Sequence, residues 1–279
     1  MSEVSRGVGY QGERGAFSED AARLLFPNAS LEPRRTLRAV FADVAKGTLR
    51  YGLVPIENSL AGSINEAYDL LAAGDVYIVG EVVLRVGHAL LALPGTRMED
   101  VRRVASHPQG LAQCQEFLSG LDAEQVPVYD TAGAARSIAE EQRRGEAAVA
   151  SERAAHVYGL EVLASEIQDS ESNFTRFVAV AGEPRPLGPP DKTSLVLTTA
   201  HRPGALYRAL RPFAERGVNL SKLESRPLGG APWNYRFYLD VEAGSDDDRL
   251  VAALNDLRGE TATVQVLGTY QRWREQAAG

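Results

Sequence analysis

The segment Asn173-Phe174-Thr175-Arg176-Phe177 sets a hydroxyl beside a guanidinium between two aromatic rings. It stands where the polar stretch Gln168 to Ser172 gives way to the apolar run Val178 to Ala181. A guanidinium fork suits a carboxylate, and a hydroxyl in an apolar surround can hydrogen-bond a departing oxygen. Residue types alone slightly favour a plainer reading, a strand start whose arginine pairs with a surface acid. Glu57, Asn58, Ser59 and Ser63 gather a carboxylate, an amide and hydroxyls just after an expected buried strand. Ligands collect beyond the carboxyl ends of such strands, although Asn58 or Ser59 would serve equally well as a helix cap. Ser106-His107-Pro108-Gln109-Gly110, followed by Gln113 and Cys114, forms a similar junction. His107 reads as a capping or packing residue before it reads as a base. Cys114, three residues from Leu111 and from Phe117, reads as a core residue. Tyr10 to Ser18 carries Gly12 and Gly15 at a helix start, where backbone N–H groups can meet an anion. A turn without a ligand is the stronger reading of those residues alone. Asp130-Thr131 reads as an N-cap.

The elements that must position these groups follow from periodicity. Strands are expected at 51–56, 76–79, 88–93 and 147–150, and helices at 18–26, 36–47, 62–72, 109–119, 132–144 and 151–158. This alternation is that of an α/β sheet with helices on both faces. Residues 182–191 hold four prolines and two glycines, a semi-rigid spacer. After it the pattern becomes strand 193–199, helix around Leu206, Leu210 and Phe213, strands 218–223 and 235–241, helix 246–258 and strand 262–267. That is the βαββαβ plan, expected to leave strand edges and one sheet face free for a second subunit.

Charge and composition remove several classes. The net charge is −7, from 30 basic and 37 acidic residues, with no basic stripe, so nucleic acid is not an expected partner. Cys114 is the sole cysteine, so no intrachain disulfide can form, which suits a cytoplasmic protein. Met1 to Tyr10 has no signal-peptide core, and no stretch approaches ~18 continuous apolar residues, so no membrane association is expected. Histidines 88, 107, 156 and 201 are scattered, and neither metal-ligand spacing nor a glycine-rich phosphate loop occurs. Neither metal nor cofactor is expected.

Taken together, Tyr10–Ser18, Pro55–Ser63, Ser106–Cys114, Asp130–Ala135, Asn173–Phe177, Gly204–Leu206 and Glu224-Ser225-Arg226-Pro227 resemble prephenate dehydratase with a C-terminal ACT regulatory domain. The Thr175-Arg176-Phe177 triplet followed by Glu224–Pro227 is the specific part. The resemblance implies an α/β fold: a two-lobed, type II periplasmic-binding-protein-like catalytic domain over 1–182, a linker over 183–191, and a ferredoxin-like ACT domain over 192–279. It implies conversion of prephenate to phenylpyruvate, water and carbon dioxide. Thr175 would be catalytic, with Glu57, Asn58, Ser106 and Gln113 around the site. Arg176, Phe174, Phe177 and Thr131 would meet substrate, the two phenylalanines keeping the cleft dry, and either Arg176 or helix N-termini would hold the side-chain carboxylate. L-phenylalanine would bind at Gly204, Ala205, Leu206, Asn219, Leu220, Glu224, Ser225 and Arg226. Tyr207 stands where the family motif usually has valine. Arogenate is the alternative substrate, and a non-catalytic amino-acid sensor is the remote alternative. A homodimer or homotetramer is expected.

Overall fold

The computed structural model describes residues 7–228 and 235–274. Most of the Met1–Tyr10 reading therefore lies outside the described residues. Three sheets organise the chain. The first is built from β1 (Val8–Gln11), α1 (Phe17–Leu25), β2 (Leu31–Arg34), α2 (Leu37–Ala45), β3 (Tyr51–Asn58), β4 (Gly62–Ser63), α3 (Asn65–Ala72) and β5 (Tyr77–Arg85). The chain then crosses through residues 86–88 into a second lobe. This holds β6 (Ala89–Ala92), β7 (Arg103–Ser106), α4 (Pro108–Ala112), α5 (Gln115–Ser119), β8 (Glu124–Pro127), α6 (Thr131–Glu140), β9 (Glu146–Ala150), α7 (Glu152–Tyr158) and β10 (Glu161–Ala164). It returns through 165–173 to β11 (Phe174–Ala181).

The first sheet has the order β2-β1-β3-β11-β5, with β4 on β3, and the second β10-β6-β9-β7-β8. The returning strand β11 runs antiparallel between β3 and β5. Two crossovers and a returned strand make a two-lobed α/β unit with its cleft between the lobes, as expected of the type II plan. The third unit comprises β12 (Lys192–Thr198), α8 (Ala205–Glu215), β13 (Leu220–Pro227), β14 (Tyr235–Val241), α9 (Asp248–Glu260) and β15 (Thr263–Tyr270). Its antiparallel sheet has the order β13-β14-β12-β15.

Local chemistry explains most boundaries. Asp130 caps α6 by accepting from the Gly133 N–H at 2.5 Å, and Ser151 caps α7 through Ala154 N–H at 3.2 Å. The helix expected over 109–119 is broken instead at Gln113-Cys114. Asp169, from the returning crossover, accepts from the Gln115 and Glu116 N–H groups at 3.0 Å each and so starts a new helix there.

The C-terminal sheet departs from expectation. Its strand β12 is buried from Lys192 to Leu197, on both faces rather than one. One face, with Leu195, Leu197 and Leu239, packs under α8 and α9. The other places Val196, Tyr238, Leu267 and Tyr270 in the same core as Val54, Val178 and Val180 of the first lobe. The face expected to be free for a second subunit is thus covered by the chain's own first lobe. What stays open is the edge strand β13, where Leu223 is 46% exposed. Close approach of the two sheets requires Gly268, since a Cβ there would lie 2.1 Å from the Ile78 carbonyl oxygen. Gly268→Ala is expected to lower stability by about 1–3 kcal/mol, read as an earlier urea midpoint at an unchanged slope.

Candidate active site

A cavity of about 300 Å³ lies between the lobes. Thr175 and Asn58 line it from the first lobe, and Gln113, Asp130 and Thr131 from the second. Register explains why Thr175 and Asn58 meet. On β11, Thr175 and Phe177 share one face while Arg176 and Val178 share the other. Plain alternation along β3 would put Asn58 on the face of Val54, away from the cleft. A register shift intervenes: Phe177 pairs with Pro55, yet Arg176 pairs with Glu57 and Thr175 with Asn58. The extra residue is a β-bulge that turns Asn58 toward the cleft and Glu57 away from it.

The Asn58 amide can be oriented without ambiguity. Its Oδ1 accepts from the backbone N–H of Leu60 at 3.1 Å and of Ala61 at 2.9 Å. Its Nδ2 therefore faces three acceptors: Asn173 Oδ1 at 2.8 Å, Thr175 Oγ1 at 3.0 Å and the Phe174 carbonyl at 3.1 Å. Because Thr175 Oγ1 accepts from Asn58, its own hydrogen remains to be donated into the cleft. Asn173 is fully buried and passes the order on, donating to Gln113 Oε1 at 3.1 Å. The same oxygen lies 3.0 Å from His88 Nε2. As an acceptor already, it fixes His88 as the Nε2–H tautomer. Burial pulls the His88 pKa down, partly offset by the bond to Gln113, which keeps the ring neutral. His88 and Asn173 sit in the two crossovers, so this network also ties the hinge to the site.

His88 and Asn173 were not among the sequence candidates. His88 reads as the start of an apolar strand, and Asn173 as one more residue of a polar loop. Their role depends on two crossovers meeting, which no local pattern reports.

Several expected site residues are placed elsewhere. The Glu57 carboxylate points to the C-terminal sheet, accepting from Lys222 Nζ at 2.8 Å, and so cannot relay protons to Thr175. Arg176, expected on a substrate carboxylate, faces the same way. It contacts Glu81 at 2.7 Å, Asp240 at 2.6 Å and the Tyr270 hydroxyl at 2.8 Å. Phe177 is core, 2% exposed, against Leu53 and Val82. Phe174 stands partly exposed at the strand's start. Ser106 is fully buried, with its hydroxyl donated to the Val149 carbonyl at 2.6 Å. It lies beneath Gly110, where a Cβ would come 2.8 Å from the Ser106 oxygen. Its contribution is to support the cleft wall. Cys114 is buried, with its thiol pushed up to about 12 by burial, and is no nucleophile.

The C-terminal candidates divide between two faces. Gly204, Ala205 and Leu206 line a cavity of about 280 Å³ with Tyr207, Tyr235 and Phe237. Ser225 pairs with Phe237 on that side. Glu224 and Arg226 face the first lobe: Glu224 bonds Ser63 and lies 3.1 Å from Lys222, while Arg226 meets Asp69 at 2.9 Å. Asn219 donates to Glu242 at 3.1 Å, and Leu220 packs under the helices.

A model of prephenate dehydratase matches residues 8–185, and one of the ACT domain matches 193–259. Arogenate dehydratase/prephenate dehydratase 2, chloroplastic, of Arabidopsis thaliana is 45% identical over 274 residues, spanning 94% of this chain and 72% of the relative. A solved prephenate dehydratase from Arthrobacter aurescens in complex with L-Phe is 32% identical, with TM-score 0.86 over 95% of this chain and 90% of that one. A structure described as GqqA, a novel type of quorum quenching acylase, is 36% identical, with TM-score 0.87 over 95% and 97%.

Two outcomes check this geometry. Ser106→Ala should cost about 1 kcal/mol of stability by removing a buried hydrogen bond, while kcat stays near wild type. Asp240 is pushed up by burial but drawn further down by Arg176, Lys192 and Ser194, for a net lowering. A depressed folded-state value means stability present above the unfolded value, about 3.9, and lost as pH falls through the folded one. The drop in Tm below about pH 4 should therefore be shallower in Asp240→Asn than in wild type, measured by thermal melts across pH 2.5–7.

Proposed function

The chain belongs to the prephenate dehydratase family, and from that premise we propose how its own residues perform the decarboxylating dehydration of prephenate to phenylpyruvate. The ring carboxylate leaves as carbon dioxide, its bonding electrons enter the ring, and the ring hydroxyl departs with its C–O electrons. One proton is taken up at that oxygen to give water. The observation that carries this reading is the Thr175 hydroxyl, whose oxygen accepts from Asn58 and whose hydrogen is left for the cleft. A donor fixed before substrate arrives stabilises charge as it develops on the leaving oxygen. Threonine is too weak an acid to lose its proton outright, so it donates a hydrogen bond and relays the proton from solvent.

With Arg176 occupied elsewhere, the substrate's side-chain carboxylate falls to α1. Its N-cap Ala16 offers no side-chain acceptor, and Phe17 and Ser18 line the cavity. An adjoining cavity of about 490 Å³ shares Gly12, Tyr129 and Asp130 and adds Arg35, Arg136 and Arg143. Glu13, Asp130 and Glu146 line it too, with Glu13 paired to Arg136 and Glu146 to Arg143, so this mouth carries balanced charge. Arogenate, with an ammonium in place of the keto oxygen, is the second substrate considered. Asp130, the acid lining the inner cavity among the described residues, favours it. Acylase chemistry, the activity named for GqqA, is disfavoured by the contact of Thr175 with Asn58. The Thr175 oxygen meets an amide donor, which cannot take a proton as a nucleophile's base must.

We assign 1–182 to catalysis, 183–191 to the connection and 192–279 to regulation by L-phenylalanine, with the Gly204–Leu206 cavity as the effector site. Cytoplasmic residence is supported by the free, buried Cys114. No helix among the described residues is long and apolar enough to cross a membrane. A homodimer or homotetramer through the C-terminal domain is supported by the exposed edge strand β13. Purified protein offered prephenate and arogenate separately is expected to yield phenylpyruvate and phenylalanine, respectively. Thr175→Val should lower kcat by about 10²- to 10³-fold with little change in KM. Wild-type kcat in that variant would reject the mechanism, and no turnover of either substrate would reject the activity.

A further inference from the structure

Lys222 lies on the regulatory strand β13, two residues before Glu224, yet its side chain serves the catalytic lobe. Its side chain is 10% exposed, and the ammonium meets three oxygens: Glu57 Oε1 at 2.8 Å, Ser63 Oγ at 3.0 Å and Glu224 Oε2 at 3.1 Å. It also lies 5.4 Å from the centre of the Tyr68 ring. One cation is thus shared between an acid of the regulatory motif and an acid of β3. Glu57 is bonded in sequence to Asn58, and the two pair across β3 and β11 with Arg176 and Thr175 respectively.

We infer that Lys222 and Glu57 are positioning residues for Thr175, linking the state of the Glu224 strand to the catalytic hydroxyl. The chain of contacts is continuous: Glu224 to Lys222, Lys222 to Glu57, the Glu57–Asn58 peptide, and Asn58 Nδ2 to Thr175 Oγ1 at 3.0 Å. The bulge at Ile56 is where β3 can give, because the extra residue interrupts regular pairing beside Glu57. An amino acid in the Gly204–Leu206 cavity meets Phe237, whose partner on β13 is Ser225, on the face of that strand opposite Glu224. A displacement of β13 from that side carries Lys222 with it, and the strand that holds Asn58 follows through Glu57. A shift of a fraction of an ångström in Asn58 misaims the Thr175 hydrogen, which is enough to lower turnover. Regulation of this kind needs two arrangements of the shared cation, biased by the ligand.

The inference rests on the lyase reading, and its test separates the two. Full-length wild type, Lys222→Met, Glu57→Gln, the double variant and Lys222→Arg are compared with prephenate, with and without L-phenylalanine. Amide hydrogen exchange is followed over residues 56–61 and 173–177. Lys222→Met and Glu57→Gln should each lower kcat about tenfold, with KM within about twofold of wild type, and blunt the response to phenylalanine. The double variant should be no worse than the worse single variant, since both remove one interaction. Lys222→Arg, which keeps the cation, should recover most of kcat. Exchange in both segments should quicken in the two single variants while the Tm stays within a few degrees. Unchanged kcat and exchange in Lys222→Met overturn the inference, as do additive effects in the double variant. Should Lys222→Met fail to fold, the near-isosteric Glu57→Gln carries the same expectations and the same power to refute. A wild-type chain that turns over neither substrate defeats the lyase reading alone, because the exchange measurements still decide the coupling.

Discussion

The structure depends on a buried, charge-balanced cluster of four groups. Arg176 and Lys192 supply two positive charges, Glu81 and Asp240 two negative ones, with contacts from 2.6 to 3.9 Å. Tyr270 and Ser194 bond to the same cluster, and the Trp273 N–H donates to Glu81. Removing charges from water is expensive, and a cluster of this kind is tolerated only when every member is paired. The cluster draws on both units: Arg176 and Glu81 come from the first lobe, Lys192 and Asp240 from the C-terminal sheet. Arg176 with Asp240 and Lys192 with Glu81 pair across the junction, and separating the units would leave two charged groups on either side in an apolar surface without those partners. The cluster therefore fixes the placement of the C-terminal sheet against β11 and β5 as well as their proximity.

That placement gives β11 two roles, one per face. Thr175 looks into the cleft, and Arg176 looks into the junction. The partner strand repeats the division with Asn58 and Glu57, but only because a bulge changes its phase. An apolar core alone would tolerate a slip of register. The pairing of Glu57 with Lys222 and of Asn58 with Thr175 fits one register only, so the polar contacts specify what the hydrophobic ones merely permit.

Much of this was legible in the residues. The period-two pattern at 235–241 located β14, and the linker composition separated two kinds of sequence. Thr175, Asn58, Gln113 and Thr131 were marked as site candidates and do line one cavity. Other elements left weak signals. The strands Leu31–Arg34 and Glu124–Pro127 are four residues long, half-exposed and without clear periodicity. Direction was the harder matter. The family resemblance, with the fit of a guanidinium to a carboxylate, puts Arg176 and Glu57 at the substrate, yet adjacency to Thr175 and Asn58 in a strand means the opposite face. The bulge that reverses Asn58 is visible only in the pairing with β11. His88 and Asn173 gained meaning from two crossovers lying side by side. The burial of both faces of β12 required knowing that a second unit covers the sheet.

The shared core has a consequence for ancestry. Val196, Tyr238, Leu267 and Tyr270 complete the same apolar interior as Val54, Val178 and Val180. A break in the coding sequence at the proline-rich connection would leave two products, each with a raw hydrophobic face. Recombination can shuffle such halves only where the recipient offers a matching face, including a glycine like Gly268 at the point of contact. The regulatory half is thus no portable cassette. Exchanging either half alone would call for compensating changes across their junction.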